Sequence, residues 1–88
     1  MSESKYQSKI IKQMEKDGWY VIKLIVTNKN GIPDLVCFRN KDKLEVIFIE
    51  VKGRTTKVSK LQEYRIKELR QHGFSAEIWR EGEQRGGG

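Results

Sequence analysis

Between Glu3 and Asp17, apolar side chains recur at the spacing of one helix face: Tyr6, Ile10, Ile11 and Met14, with Lys5, Lys9, Lys12 and Lys16 mostly between them. The pattern predicts an amphipathic helix over 3–17, with Ser2 or Ser4 as its cap and Gly18 at its end. From Trp19 to Val26 the chain turns aromatic and β-branched, which predicts a strand. A polar loop, Thr27 to Gly31, leads to Pro33. Strands are then expected at Asp34 to Arg39 and Leu44 to Lys52, joined by the tight polar turn Asn40-Lys41-Asp42-Lys43. A basic loop at 53–58 precedes a second helix over 59–72. Ser59 and Gln62 form its capping box, Gly73 stops it, and Leu61, Tyr64, Leu69 and either Ile66 or Arg65 mark its inner face. Phe74 to Arg80 is the final strand, and 81–88 is expected to be a frayed, flexible tail. The order is α-β-β-β-α-β, without repeat or linker: one α/β domain over 1–80.

Length changes the picture in one respect. A chain of 88 residues buries only ~60–65% of its unfolded surface, so its core is small and a partner subunit would strengthen it. Cys37 and His72 are single, which excludes an internal disulfide and a Cys- or His-rich zinc centre. Cys37 reads as a small buried hydrophobe, and His72 as a cation suited to a helix C-terminus. No apolar run approaches the ~20 residues of a membrane span, and no signal-peptide pattern opens the chain. These features predict an intracellular, cytoplasmic protein with no membrane partner.

Charge adds more. Eighteen Lys+Arg against twelve Asp+Glu leave +6, a surplus that suits a polyanion, since each cation placed on a phosphate releases a counterion. Four of the cations, Lys52, Arg54, Lys57 and Lys60, fall within nine residues. Arg54 and Lys57 are the first candidates for contact with phosphates, with Lys60, the Ser59 hydroxyl and Lys29 extending it. The alternative for this loop is an ordinary solvated surface. Trp19, Trp79, Tyr20 and Phe38 suit a core or a dimer surface better than base stacking.

The candidate chemistry lies in Asp34 and in Glu50-Val51-Lys52. Side chains alternate along a strand, so Glu50 and Lys52 share a face while Val51 points into the core. The hairpin brings Asp34 toward Glu50, although the residue count suggests a bulge or an offset in the register. Two converging carboxylates raise each other's pKa unless a cation neutralises them. Hard oxygen donors suit Mg²⁺ or Mn²⁺. Lys52 would stand beside the bound water, to orient or deprotonate it or to offset charge in the transition state. Glu50 follows the apolar run Val46 to Ile49, the mark of a central strand covered on both faces. The plainer readings are that Asp34 starts a turn after proline and that Glu50 pairs with Lys52 or an arginine.

Pro33-Asp34, fifteen intervening residues after Asp34, then Glu50-Val51-Lys52 resemble the PD-(D/E)xK nuclease signature. The detail resembles the VRR-NUC branch, and within it the compact stand-alone viral members. Asn30-Gly31-Ile32-Pro33-Asp34-Leu35 is similar to that branch's G-x-P-D-L segment, Ile49 to Lys52 to its core strand, and Ser59-Lys60-Leu61-Gln62 to its S-x-x-Q helix start. The resemblance implies a compact restriction-endonuclease-like fold, a mixed sheet flanked by helices. It implies a metal-dependent, structure-selective DNA endonuclease, with Asp34, Glu50 and the Val51 carbonyl on Mg²⁺ or Mn²⁺, Lys52 serving the attacking water, and Gln62 reaching the site from the second helix. It further implies a homodimer that resolves Holliday junctions, working in the cytoplasm of an infected cell.

One position departs from that pattern. Relatives of the resolvase kind carry a glutamate in the first helix where this chain has Gln7; Glu3 lies one turn earlier on the same face. Either the site works without that acid or Glu3 reaches in. The alternatives to a junction nuclease are a non-catalytic nucleic-acid-binding module that keeps the fold, and a nuclease acting on flaps, nicks or linear DNA.

Overall fold

The computed structural model describes residues 1–83 and bears out the α-β-β-β-α-β order: α1 (Glu3–Lys16), β1 (Tyr20–Lys23), β2 (Leu35–Asn40), β3 (Leu44–Lys52), α2 (Lys60–Gln71) and β4 (Ser75–Arg80). Ser2, not Ser4, caps α1, its hydroxyl accepting the Lys5 N–H at 3.1 Å. Both helices end as expected, with Gly18 and Gly73 at φ +90, a conformation that costs glycine little. The sheet runs β1-β2-β3-β4; the first two pairings are antiparallel and the β3–β4 pairing is parallel, with α2 as the crossover.

Alternation along the strands divides the side chains between two layers. Leu35, Cys37, Ile49 and Val51 face α1, where Tyr6, Ile10 and Met14 close a buried core over them. The other face carries α2. There Phe48 meets Phe74 edge-on, with ring centroids 5.6 Å apart. The Arg70 guanidinium fastens α2 to β4 by two bonds to the Ala76 carbonyl, at 3.0 and 2.7 Å. Cys37 is fully buried, and desolvation pushes its thiol up to about 11, so it is an inert core residue.

Three sequence expectations need correction. The first strand is four residues long rather than running from Trp19 to Val26. The Trp19 N–H belongs to the turn after α1, bonding Met14, and β2 begins only at Leu35, so among the described residues the strand pairing of this segment ends at Lys23, with the Leu24 N–H still taking the Asp34 carbonyl at 2.8 Å. Ile25 and Val26 are left 82% and 92% exposed. Second, Leu61 and Tyr64 lie outside; Ile66 and Leu69 turn inward as expected, and Gln62 joins them to complete an i, i+4, i+7 face whose first member is polar. Third, the β2–β3 register is regular, from Leu35↔Ile49 to Asn40↔Leu44 around a turn at 41–43, with no bulge. Of the expected tail, 84–88 lies outside the described residues. Glu81 is tied back by its N–H to the Lys52 carbonyl at 3.0 Å.

Candidate functional site

The last paired residues of the hairpin are Leu35 and Ile49. One step further, where β2 begins and β3 nears its end, Asp34 stands across from Glu50. Since Leu35 and Ile49 face α1, these two carboxylates face α2. Beyond this point β2 supplies no strand partner to β3. Asp34 Oδ2 fills that role by accepting the Val51 N–H at 2.8 Å. A strand residue turns its N–H and C=O to the same edge, so the Val51 carbonyl opens on the side of Asp34.

Glu50 is 2% exposed. Its Oε2 accepts from Gln62 Nε2 at 3.3 Å and lies 3.6 Å from Lys52 Nζ. Its Oε1 is buried, and no hydrogen-bond donor among the described residues reaches it. Burial, first of all, and then the neighbouring Asp34, by its charge and as a hydrogen-bond partner, push the Glu50 carboxyl up to about 8; Lys52 pulls the other way and loses. Without a cation, a Glu50 carboxyl raised this far favours its protonated form at neutral pH.

Gln62 joins the helix cap to the site. Its N–H donates to the Ser59 hydroxyl at 3.1 Å, its Oε1 accepts the Ser59 N–H at 2.9 Å, and its amide nitrogen is left for Glu50. Lys52 is nearly buried at 6% exposure, so its ammonium is held close to Glu50 rather than ranging through solvent.

Of the two first-helix candidates, only Glu3 reaches this end of the sheet. Its Oε2 accepts the N–H of Gly53, the residue after Lys52, at 3.0 Å. Gln7 is half-buried, and no hydrogen bond links it to the site among the described residues. Arg54, Lys57, Ser59, Lys60 and Lys29 are all exposed. Ser59 is engaged as the cap of α2, Arg54 folds back against Gly82, and Lys29 sits in a turn closed by its own backbone bonds to Thr27.

Two residues that sequence reasoning passed over complete the surroundings. Arg80 Nη1 donates to the carbonyls of Gly53 at 2.8 Å and Thr56 at 2.6 Å, holding the start of the basic loop. The signal was its place at the end of the strand predicted last, which the parallel register sets beside Lys52. Arg65 Nε donates to the Asn30 carbonyl at 2.8 Å and anchors the loop before Asp34 to α2.

The donors suit a hard divalent cation. Asp34 and Glu50 offer hard oxygen donors at adjoining strand positions, and one Glu50 oxygen is buried with no donor on it, while among the described residues no group of three or more His, Cys, Asp or Glu is placed to hold a metal ion. No helix among the described residues is long and apolar enough to cross a membrane.

Compared with known families, the chain matches the VRR-NUC domain over residues 1–80, nearly its whole length. No curated protein and no solved structure matches it.

Proposed function

We propose that this chain, which belongs to the VRR-NUC family of the PD-(D/E)xK nuclease superfamily, is a metal-dependent DNA endonuclease whose hydrolytic centre is Asp34, Glu50 and Lys52. Family membership makes it a nuclease-type DNA-processing protein, in a family that generally uses divalent metal ions. The observation that carries the finer reading is Glu50 Oε1, a buried carboxylate oxygen that no donor reaches, beside a second acid. Such an atom is costly unless a proton or a cation meets it.

In this reading Asp34, Glu50 and the Val51 carbonyl hold Mg²⁺ or Mn²⁺. A divalent ion there supplies positive charge to a phosphodiester and lowers the pKa of a bound water. Lys52 presents its ammonium to the attacking water and the non-bridging oxygens, held in place by Glu50. Gln62 orients Glu50 by donating to the same oxygen, Oε2. Arg54, Lys57, Lys60 and Lys29 take the DNA backbone near the site.

The substrate we favour is a four-way junction, cut by a homodimer whose two-fold axis sets two sites on opposed strands. Support comes from the +6 surplus and from β1, an edge strand that leaves Tyr20 and Ile22 68% and 40% exposed. The same reading sets the work in the cytoplasm of an infected cell, as for the compact viral members the sequence resembles.

The test is cleavage of synthetic junctions, flaps, nicked duplexes and linear DNA with Mg²⁺ or Mn²⁺. Asp34→Asn, Glu50→Gln and Lys52→Ala are each expected to lower the rate by ~10²–10⁴-fold. If any of the three cuts as fast as wild type, its assigned role is wrong. Preference for flaps or nicks would replace the junction, and a monomer in light scattering would remove the dimer.

A further inference from the structure

The functional reading leaves one charged surface unused. Lys5, Lys9, Lys12 and Lys16 are all exposed on α1. At 3.6 residues per turn they fall within an arc of about 60° and run along about 16 Å of helix. No ion pair involves any of them among the described residues. Serine and glutamine surround them, with Ser4, Ser8 and Gln13 as neighbours. Glu15, the nearest acid on the helix, lies about 90° round from the centre of the row. Four like charges kept together without compensation repel one another, which costs helix stability at each i, i+4 step.

Their position matters as much as their charge. The buried face of α1 packs on the sheet side of Ile49 and Val51, whereas Glu50, Lys52 and Gln62 occupy the other side. The lysine row therefore points away from the sheet on the side opposite the carboxylates. Its near end is not remote, because Glu3 joins the first turn of α1 to Gly53 at the start of the basic loop.

We propose that this lysine row is a second nucleic-acid surface, holding the phosphate backbone of a duplex segment other than the one presented to Asp34 and Glu50. The proposal rests on DNA being the substrate but not on the metal centre. Lysines suit it as point charges on flexible stems, able to follow a backbone without reading bases. A body only 34 × 31 × 27 Å across is small enough for a branched or bent DNA to touch both sides.

The experiment measures binding of the full chain to a labelled four-way junction by anisotropy over a salt series, in EDTA. K5Q/K9Q/K12Q/K16Q keeps good helix formers at exposed positions. It is expected to bind at least tenfold more weakly at low salt, with the slope of log K against log salt reduced by ~0.9 for each lysine that contacts phosphate, about 3–4 in all. K5Q/K12Q and K9Q/K16Q should each remove about half of that reduction, and the four Lys→Arg changes should restore the slope. An unchanged slope in the quadruple variant, with wild-type helicity by circular dichroism, overturns the proposal. Lost binding to phosphatidylserine vesicles with DNA affinity intact would also overturn it, assigning the row to a lipid surface. Because binding is read without metal, failure here is separate from failure of the hydrolytic centre, which cleavage alone reports.

Discussion

Gln62 Nε2 lies 3.3 Å from Glu50 Oε2, so the side chain that closes the capping box of α2 also holds the buried acid of β3. A helix start and a reactive strand end are thereby one hydrogen-bonded unit. Removing Gln62 with alanine should cost ~1–2 kcal/mol of stability, from the cap and from a buried acceptor left emptier. Gln62→Glu keeps the capping acceptor but sets a third carboxylate against Glu50. Its cleavage rate should fall while its melting temperature stays above that of the alanine variant, as paired thermal melts and rate measurements would report.

Glu50 predicts a pH dependence of stability with a definite sign. Its carboxyl titrates near 4.5 when free and at about 8 in the fold. Between those values the folded state binds more protons than the unfolded, so this contribution is fully present below 4.5 and is lost as pH rises through about 8. Thermal melts in EDTA should therefore show wild type losing stability across this window relative to Glu50→Gln. Adding Mn²⁺ should shrink the difference at the alkaline end, where a cation takes the proton's place.

Gly31 is the next weak point. Its φ is +79, and an added Cβ would come within 2.7 Å of Leu61 Cγ. Gly31→Ala should destabilise the domain by ~1–3 kcal/mol, from the backbone conformation and the contact together. Adding Leu61→Ala should recover the steric part alone, which a double-mutant comparison by denaturant melts would separate.

Arg80 donates to two loop carbonyls through one nitrogen, so Arg80→Met keeps the stem and removes the donors. The loss should be ~1–3 kcal/mol. Amide exchange over 53–57 should quicken by tenfold or more, and exchange in α1 should hold. If that loop stays as protected as in wild type, Arg80 is not what fixes it.

Much of this was legible in the sequence, for identifiable reasons. Strand alternation put Glu50 and Lys52 on one face without any knowledge of the tertiary structure, and the Ser59/Gln62 spacing specified the start of α2. The first strand was read too long because aromatic and β-branched composition reports propensity, whereas pairing depends on a neighbour that begins only at Leu35. Leu61 and Tyr64 were read as inner residues because hydrophobicity was the guide. The helix instead turns inward the polar Gln62, which has Glu50 to meet. Arg80 was obscure because it acts on the backbone of Gly53, a target that leaves no mark in side-chain pattern, whereas Glu3, which meets the same residue, was already a candidate from its place on the first helix.

Asp34 and Glu50 hang from a single hairpin whose rungs close at a turn of Lys41, Asp42 and Lys43. The distance between the two acids is thus governed by a segment of fewer than twenty residues and is insulated from lengthening anywhere else in the chain. A duplicated or deleted residue in that turn that moved the rungs by one would rotate one acid to the α1 side. The same edit at the exposed positions Ile25 and Val26, between the anchors at Leu24 and Asn30, would leave that register untouched, which makes this stretch the place where the small scaffold can accept new sequence.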